Sequence, residues 1–120
     1  MQLTVTSHGK VHRFTVEVAA TEDQQMTGLM NRSSMASDRG MIFPFDQPRV
    51  ASFWMKNTLI PLDIIFMRTD GTIANIAADA VPLSLEPMES EGEVGSVLEL
   101  NGGKAAELGI GPGDKVEWPH

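Results

Sequence analysis

The sequence predicts a mostly β fold: a small antiparallel barrel or sandwich of about eight short strands with two short helices, in one domain over residues 1–120. Three observations carry this. Apolar residues recur at alternate positions in short runs, turn-forming pairs such as His8-Gly9 and Asp70-Gly71 separate those runs, and strands and helices do not alternate regularly.

Leu3 and Val5, then Val11, Phe14, Val16 and Val18, flank His8-Gly9 and read as a β-hairpin with one buried face, leaving Arg13, Thr15 and Glu17 to solvent. Thr21 followed three residues later by Gln24, with Glu22 and Asp23 between, is a helix start. That helix is expected to run to about Met30 with Met26, Leu29 and Met30 facing the core. Met41-Ile42-Phe43 reads as a strand that Pro44 ends or confines to a sheet edge. Val50 to Met55 is the next strand, and Leu62 to Arg68, apolar on both faces, is a strand buried on both sides or inside a small closed barrel. After Asp70-Gly71 a strand returns over Thr72 to Ala78. Pro82 to Gly95, with Glu86, Glu89, Glu91 and Glu93, reads as an exposed loop. Val97 to Leu100 is a strand, Lys104 to Leu108 a helix that Gly109 ends in the left-handed conformation, and Lys115 to Trp118 the last strand.

Hydrophobic residues make up 42% and charged residues 21%, the balance of a globular domain rather than a disordered segment. Nine basic against sixteen acidic residues give a formal charge of -7, which disfavours phosphate backbones and anionic lipids, so nucleic acid is not an expected partner. With no cysteine there is no disulfide, thiolate metal site or cysteine nucleophile. The longest apolar run, Leu59 to Met67, holds Pro61 and Asp63 and is far short of the roughly 20 residues of a membrane span. Met1 to Ser7 lack a signal-peptide layout, so the chain is expected to be cytoplasmic or a mature form without its leader.

The segment Phe53 to Phe66 sets Lys56, Asn57 and Asp63 inside an apolar run, and a buried charge needs a partner or a purpose. One reading joins Lys56 and Asp63 as an ion pair across a hairpin whose turn Asn57 and Thr58 cap. The other makes Trp54, Lys56, Asn57 and Asp63 the lining of a cleft, with Arg32 arriving from the first helix and Glu99 from a later strand. On a strand Trp54 and Lys56 share one face, so Trp54 faces solvent if Phe53 and Met55 fill the core.

Candidate ligands are therefore a small molecule, a saccharide or a peptide, with no cofactor or metal called for. A rival reading is a hydrolase or lyase using Asp63 and Glu99, two carboxylates in apolar strands whose pKa values desolvation would raise. A third is a protein-assembly or stability factor acting through an apolar patch. Ser33, Ser34 and Ser96 lie outside any nucleophile-elbow sequence, and the histidines are His8, His12 and His120, which gives no serine triad. Eight methionines invite soft-metal chemistry, for which Trp54-Met55 is the remaining candidate, the others reading as core filling. Gly109 to Gly113 follows a helix and precedes a strand, the reverse of a phosphate loop.

Five blocks in order carry a family resemblance: Gly28-Leu29-Met30 with Arg32, Gly40-Met41-Ile42-Phe43, Phe53-Trp54-Met55-Lys56-Asn57-Thr58 running into Ile60-Pro61-Leu62-Asp63-Ile64, Val97-Leu98-Glu99-Leu100, and Gly109-Ile110 before Gly113-Asp114. Over nearly the whole chain the sequence resembles the bacterial and archaeal domain-of-unknown-function family DUF192, also called uncharacterised protein family UPF 0127. Asn101-Gly102-Gly103 departs slightly from the family's usual Asn-Ala-Gly. Many members carry a signal or lipoprotein leader, so the resemblance implies a periplasmic or secreted setting, and it brings no catalytic or binding residues.

Overall fold

The computed structural model describes residues 1–120. Its nine strands are β1 (Gln2–Ser7), β2 (Lys10–Val18), β3 (Arg39–Arg49), β4 (Ser52–Phe53), β5 (Leu62–Met67), β6 (Ile73–Ala80), β7 (Met88–Glu89), β8 (Val94–Asn101) and β9 (Lys115–Glu117), with helices α1 (Glu22–Thr27) and α2 (Lys104–Leu108). Seven of them form one curled sheet in the order β6-β5-β8-β3-β2-β1-β9, and β4 and β7 pair separately. All pairs are antiparallel except β2 with β3. Parallel neighbours need a crossover, which here is Ala19 to Asp38 and contains α1.

The curl brings the two edges of the sheet together. Thr72 bridges Lys115, the Ile73 amide donates to Asp114 O at 2.9 Å, and the Val116 amide donates to Gly71 O at 2.8 Å. A core of thirteen buried residues drawn from every strand of the sheet, among them Val5, Phe14, Ile42, Ile65, Ile73, Leu98 and Val116, fills the concave side. A second core of thirteen lies on the opposite face, where Met41, Phe43, Ile64, Phe66 and Val97 are covered by Leu29 and Met55 from the connecting segments. Strand β5 is therefore buried at all six positions, as a run apolar on both faces predicts, with Asp63 as its one polar member.

Local rules explain most boundaries. The hairpin turns at His8 and Gly9, both at positive φ. Thr21 Oγ1 accepts from the Gln24 amide at 3.1 Å while Gln24 Oε1 accepts from the Thr21 amide at 3.0 Å, completing the expected capping box. Gly109 ends α2 at φ 73°.

Several expectations are corrected. Helix α1 stops at Thr27, because Gly28 takes φ 48° and ψ -128°, and the helix buries none of its residues: Met26 is 71% exposed rather than core-facing. Val11 is exposed because it stands on the opposite parity from Phe14 and Val16, and Val18 because it is the last residue of β2. Strand β3 continues through Pro44 in the middle of the sheet, which is possible because its pairing with β2 ends at Ile42 and leaves Pro44 with β8 alone. The strand expected over Val50 to Met55 shrinks to Ser52–Phe53. The acidic segment is pinned down instead of loose: Asn75 Nδ2 donates to Glu89 O, Asn75 Oδ1 accepts from the Glu91 amide, and Ser90 Oγ accepts from the Ala51 amide at 2.9 Å.

Candidate functional site

The segment Ser52 to Thr58 hangs on aromatic and apolar anchors. Phe53 packs edge-on against Phe43 with ring centroids 5.1 Å apart and against Phe66 at 6.1 Å, and Met55 is fully buried. Trp54, between these two inward anchors and beyond the end of β4, points outward and is 48% exposed, and the Lys56 ammonium lies 5.2 Å from the centre of its ring. Asn57 turns the chain at φ 55°, a conformation that asparagine tolerates, and its carbonyl accepts from the Asn31 amide at 2.8 Å. The Met55 amide donates to Ser84 O and the Leu83 amide to Thr58 O, which ties the other side of the segment to the polypeptide after β6.

Between this segment, α1 with its C-terminal turn, and β3 lies an open cleft of about 610 Å³. Trp54, Lys56, Asn57 and Glu99 all line it, four of the six candidate residues. Glu99 reaches it because β8 runs between β3 and β5: its register partners are Met41 and Ile64, whose side chains lie on the outer face of the sheet. Glu99 is only 4% exposed and its carboxyl receives no hydrogen bond from the protein, and loss of hydration pushes its pKa up to about 8, so the protonated form predominates at neutral pH.

The other two candidates lie elsewhere. The Arg32 guanidinium forks onto Glu17, with Nη2 donating to Oε1 at 2.9 Å and Nη1 to Oε2. These hydrogen bonds hold the Glu17 carboxyl below its ordinary range and raise Arg32, and Arg32 is absent from the cleft. Asp63 is fully buried on β5 and receives three backbone amides: Oδ1 accepts from Asp79 at 2.8 Å and Gly103 at 3.0 Å, and Oδ2 from Ala105 at 2.8 Å. Gly103, the N-cap of α2, has no side chain to offer, and Asp63 caps that helix from another part of the chain.

The ion pair between Lys56 and Asp63 is thus absent. The hairpin that would have formed it does not exist, because β4 pairs with β7 and not with β5. The acid pair of Asp63 and Glu99 fails too: Asp63 aligns with Leu100 and Glu99 with Ile64, so alternation sends the two carboxyls to opposite faces of the sheet. Met55 points into the outer core away from Trp54, which removes the soft-metal candidate.

Sequence reading missed Arg49, whose guanidinium carbon lies 4.0 Å from the centre of the Phe45 ring and which lines the cleft with Glu22, Gln25 and Phe43. Nothing in Pro48-Arg49-Val50 marks it locally. It is brought to the cleft by the long extension of β3.

The profile of the DUF192 family, described as "Uncharacterized ACR", matches residues 3–118. A crystal structure of a protein of unknown function from Novosphingobium aromaticivorans DSM 12444 is similar at a TM-score of 0.95 and 50% identity, over 98% of this chain and 84% of that one. A second, from Sinorhizobium meliloti 1021 and provisionally described as a transcription regulator, is similar at a TM-score of 0.94 and 44% identity, over 97% of this chain and 91% of that one. No curated protein matches.

Proposed function

Because the chain belongs to the DUF192 family, whose description assigns no activity, we propose from the site itself that it is a small binding module that takes a small molecule, saccharide or peptide into the cleft between α1 and Trp54–Thr58. A periplasmic or secreted setting is part of this proposal, on the family resemblance. The observation that carries it is Trp54: a large ring, half in solvent, lining a concave surface on a segment that its neighbours Phe53 and Met55 anchor to the outer core. An exposed tryptophan adds nothing to the core, whereas on a cleft wall it offers a rigid apolar platform. The description of the Sinorhizobium meliloti relative as a transcription regulator is not carried over, because the excess of acidic residues here opposes a phosphate backbone.

The test is a thermal-shift screen of wild type, Trp54→Ala and Lys56→Ala against small organic acids, amines, oligosaccharides and short peptides. We expect both variants to melt cooperatively near the wild-type temperature and to lose the stabilisation that the wild type shows with its ligands. Unfolding of both variants, or full retention of the shift in both, overturns the reading.

A further inference from the structure

The polar groups of the cleft define the chemistry of what it takes, an inference that rests on the binding-module reading above. The titratable groups lining it are Glu22, Arg49, Lys56 and Glu99. Neither Arg49 nor Lys56 has a carboxylate partner, since the ion pairs of the protein are Arg32 with Glu17, Arg39 with Asp38, and Lys104 with Glu107. Each cation is instead laid over an aromatic ring, Arg49 over Phe45 and Lys56 over Trp54, which orients it and leaves its hydrogen-bond donors free. With Glu99 protonated, the cleft holds two cations against the single carboxylate of Glu22, a local excess of positive charge in a chain whose net charge is -7.

Glu99 supplies the second element. The residue is more than nine-tenths buried, its carboxyl lines the cleft and lacks any protein partner, and its sheet neighbours Met41 and Ile64 are apolar. The carboxyl oxygens are not sealed from solvent, so a ligand can reach them, and one that covers them must supply a hydrogen-bond partner or bear the cost of their desolvation. The acid form has an O–H to donate, so the matching ligand atom is an acceptor oxygen. The remaining wall is mixed, with Met26, Met30, Phe43, Phe53 and Trp54 offering apolar surface beside the uncharged polar side chains of Gln25, Ser52 and Asn57.

We propose that the cleft selects small carboxylic acids with an apolar body and a second acceptor oxygen, the carboxylate meeting Arg49 and Lys56 and the second oxygen accepting a hydrogen bond from Glu99. A cationic ligand would face Arg49 and Lys56, and a ligand without the second oxygen would leave Glu99 unpaired. Ionisation of Glu99 places another negative charge beside the ligand and removes the donor, so binding weakens as pH rises through about 8.

The indole resonances of the two tryptophans make the test direct, Trp54 reporting the cleft and Trp118 the fold. Full-length protein is titrated with N-acetylphenylalanine, its neutral amide, 3-phenylpropanoate, which lacks the second oxygen, phenethylamine and maltose. N-acetylphenylalanine is expected to move the Trp54 resonance, with the amide and 3-phenylpropanoate each about tenfold weaker, in line with the loss of one charge-assisted or buried hydrogen bond. Its affinity is expected to fall about tenfold between pH 6.5 and 9.5, and Glu99→Gln, which keeps a donor, to bind with no such fall. Equal binding of acid and amide, or preferential binding of phenethylamine at high pH, overturns the assignment while leaving a binding module in place, as does a shift caused by maltose alone. If none of the five moves Trp54 at millimolar concentration, the carboxylic-acid assignment falls, and the thermal-shift screen decides the broader reading independently.

Discussion

Asp63 and Glu99 are both carboxyls embedded in apolar strands, and they have opposite fates. Asp63 meets three backbone amides and serves structure, whereas Glu99 meets none and opens on the cleft. The local pattern shows that each is an exception to its surroundings; it does not show which has partners, because those of Asp63 come from Asp79, Gly103 and Ala105. The raised pKa of Glu99 has a stability consequence. Between its ordinary value of 4.5 and about 8 the folded protein holds a proton that the unfolded chain has released. This contribution is therefore full below pH 4.5 and is lost as pH rises toward 8. Glu99→Gln should flatten that decline and make the protein more stable than wild type at pH 8 by roughly 3–5 kcal/mol, at about 1.4 kcal/mol for each unit of pKa difference. Urea unfolding of both proteins at pH 5 and pH 8 checks this, and parallel declines in the two would contradict it.

Helix α1 has six residues, too few to be stable alone, yet it forms one wall of the cleft. It is held by its capping box and by Gln25 Nε2, which donates to Ala19 O at 3.0 Å and Pro44 O at 2.7 Å. Thr21→Ala removes the side-chain acceptor for the Gln24 amide and should lower stability by about 1 kcal/mol, with faster hydrogen exchange confined to α1. Exchange that speeds up evenly across the sheet would contradict a local role. This helix start was legible because capping is a relation between residues three apart. The strand β4 was not, since two residues carry no periodicity and Ser52–Phe53 becomes a strand only by meeting Glu89 and Met88. The same limit made Lys56 and Asp63 look like opposite sides of one hairpin.

At the scale of the whole molecule, the curl of the sheet separates an inner core from an outer one and leaves the cleft on the outer side. Closure depends on the short strand β9, which pairs with β1 and touches the start of β6. Truncation after Pro112 removes β9 and uncovers Val5 and Ile73 of the inner core. The truncated protein should lose its single sharp unfolding transition and bind a hydrophobic dye, measured by calorimetry and fluorescence. A cooperative transition near the wild-type temperature would show that closure is dispensable.

The sequence by itself determined the family, through its five motif blocks, and the mostly β class with the starts and stops of the well-punctuated elements; it left the face of Trp54 conditional on Phe53 and Met55 filling the core, which the structure decided. The class and the element boundaries rest on alternation, turn residues and caps, which act over a few positions along the chain. Only the tertiary structure decided that Arg32 belongs to Glu17, that Asp63 caps α2, that Arg49 enters the cleft and that Glu99 has no partner. Those pairings follow from strand order and register across tens of residues. Register is fixed by how two faces of one sheet bury two cores at once, which no short window of sequence contains.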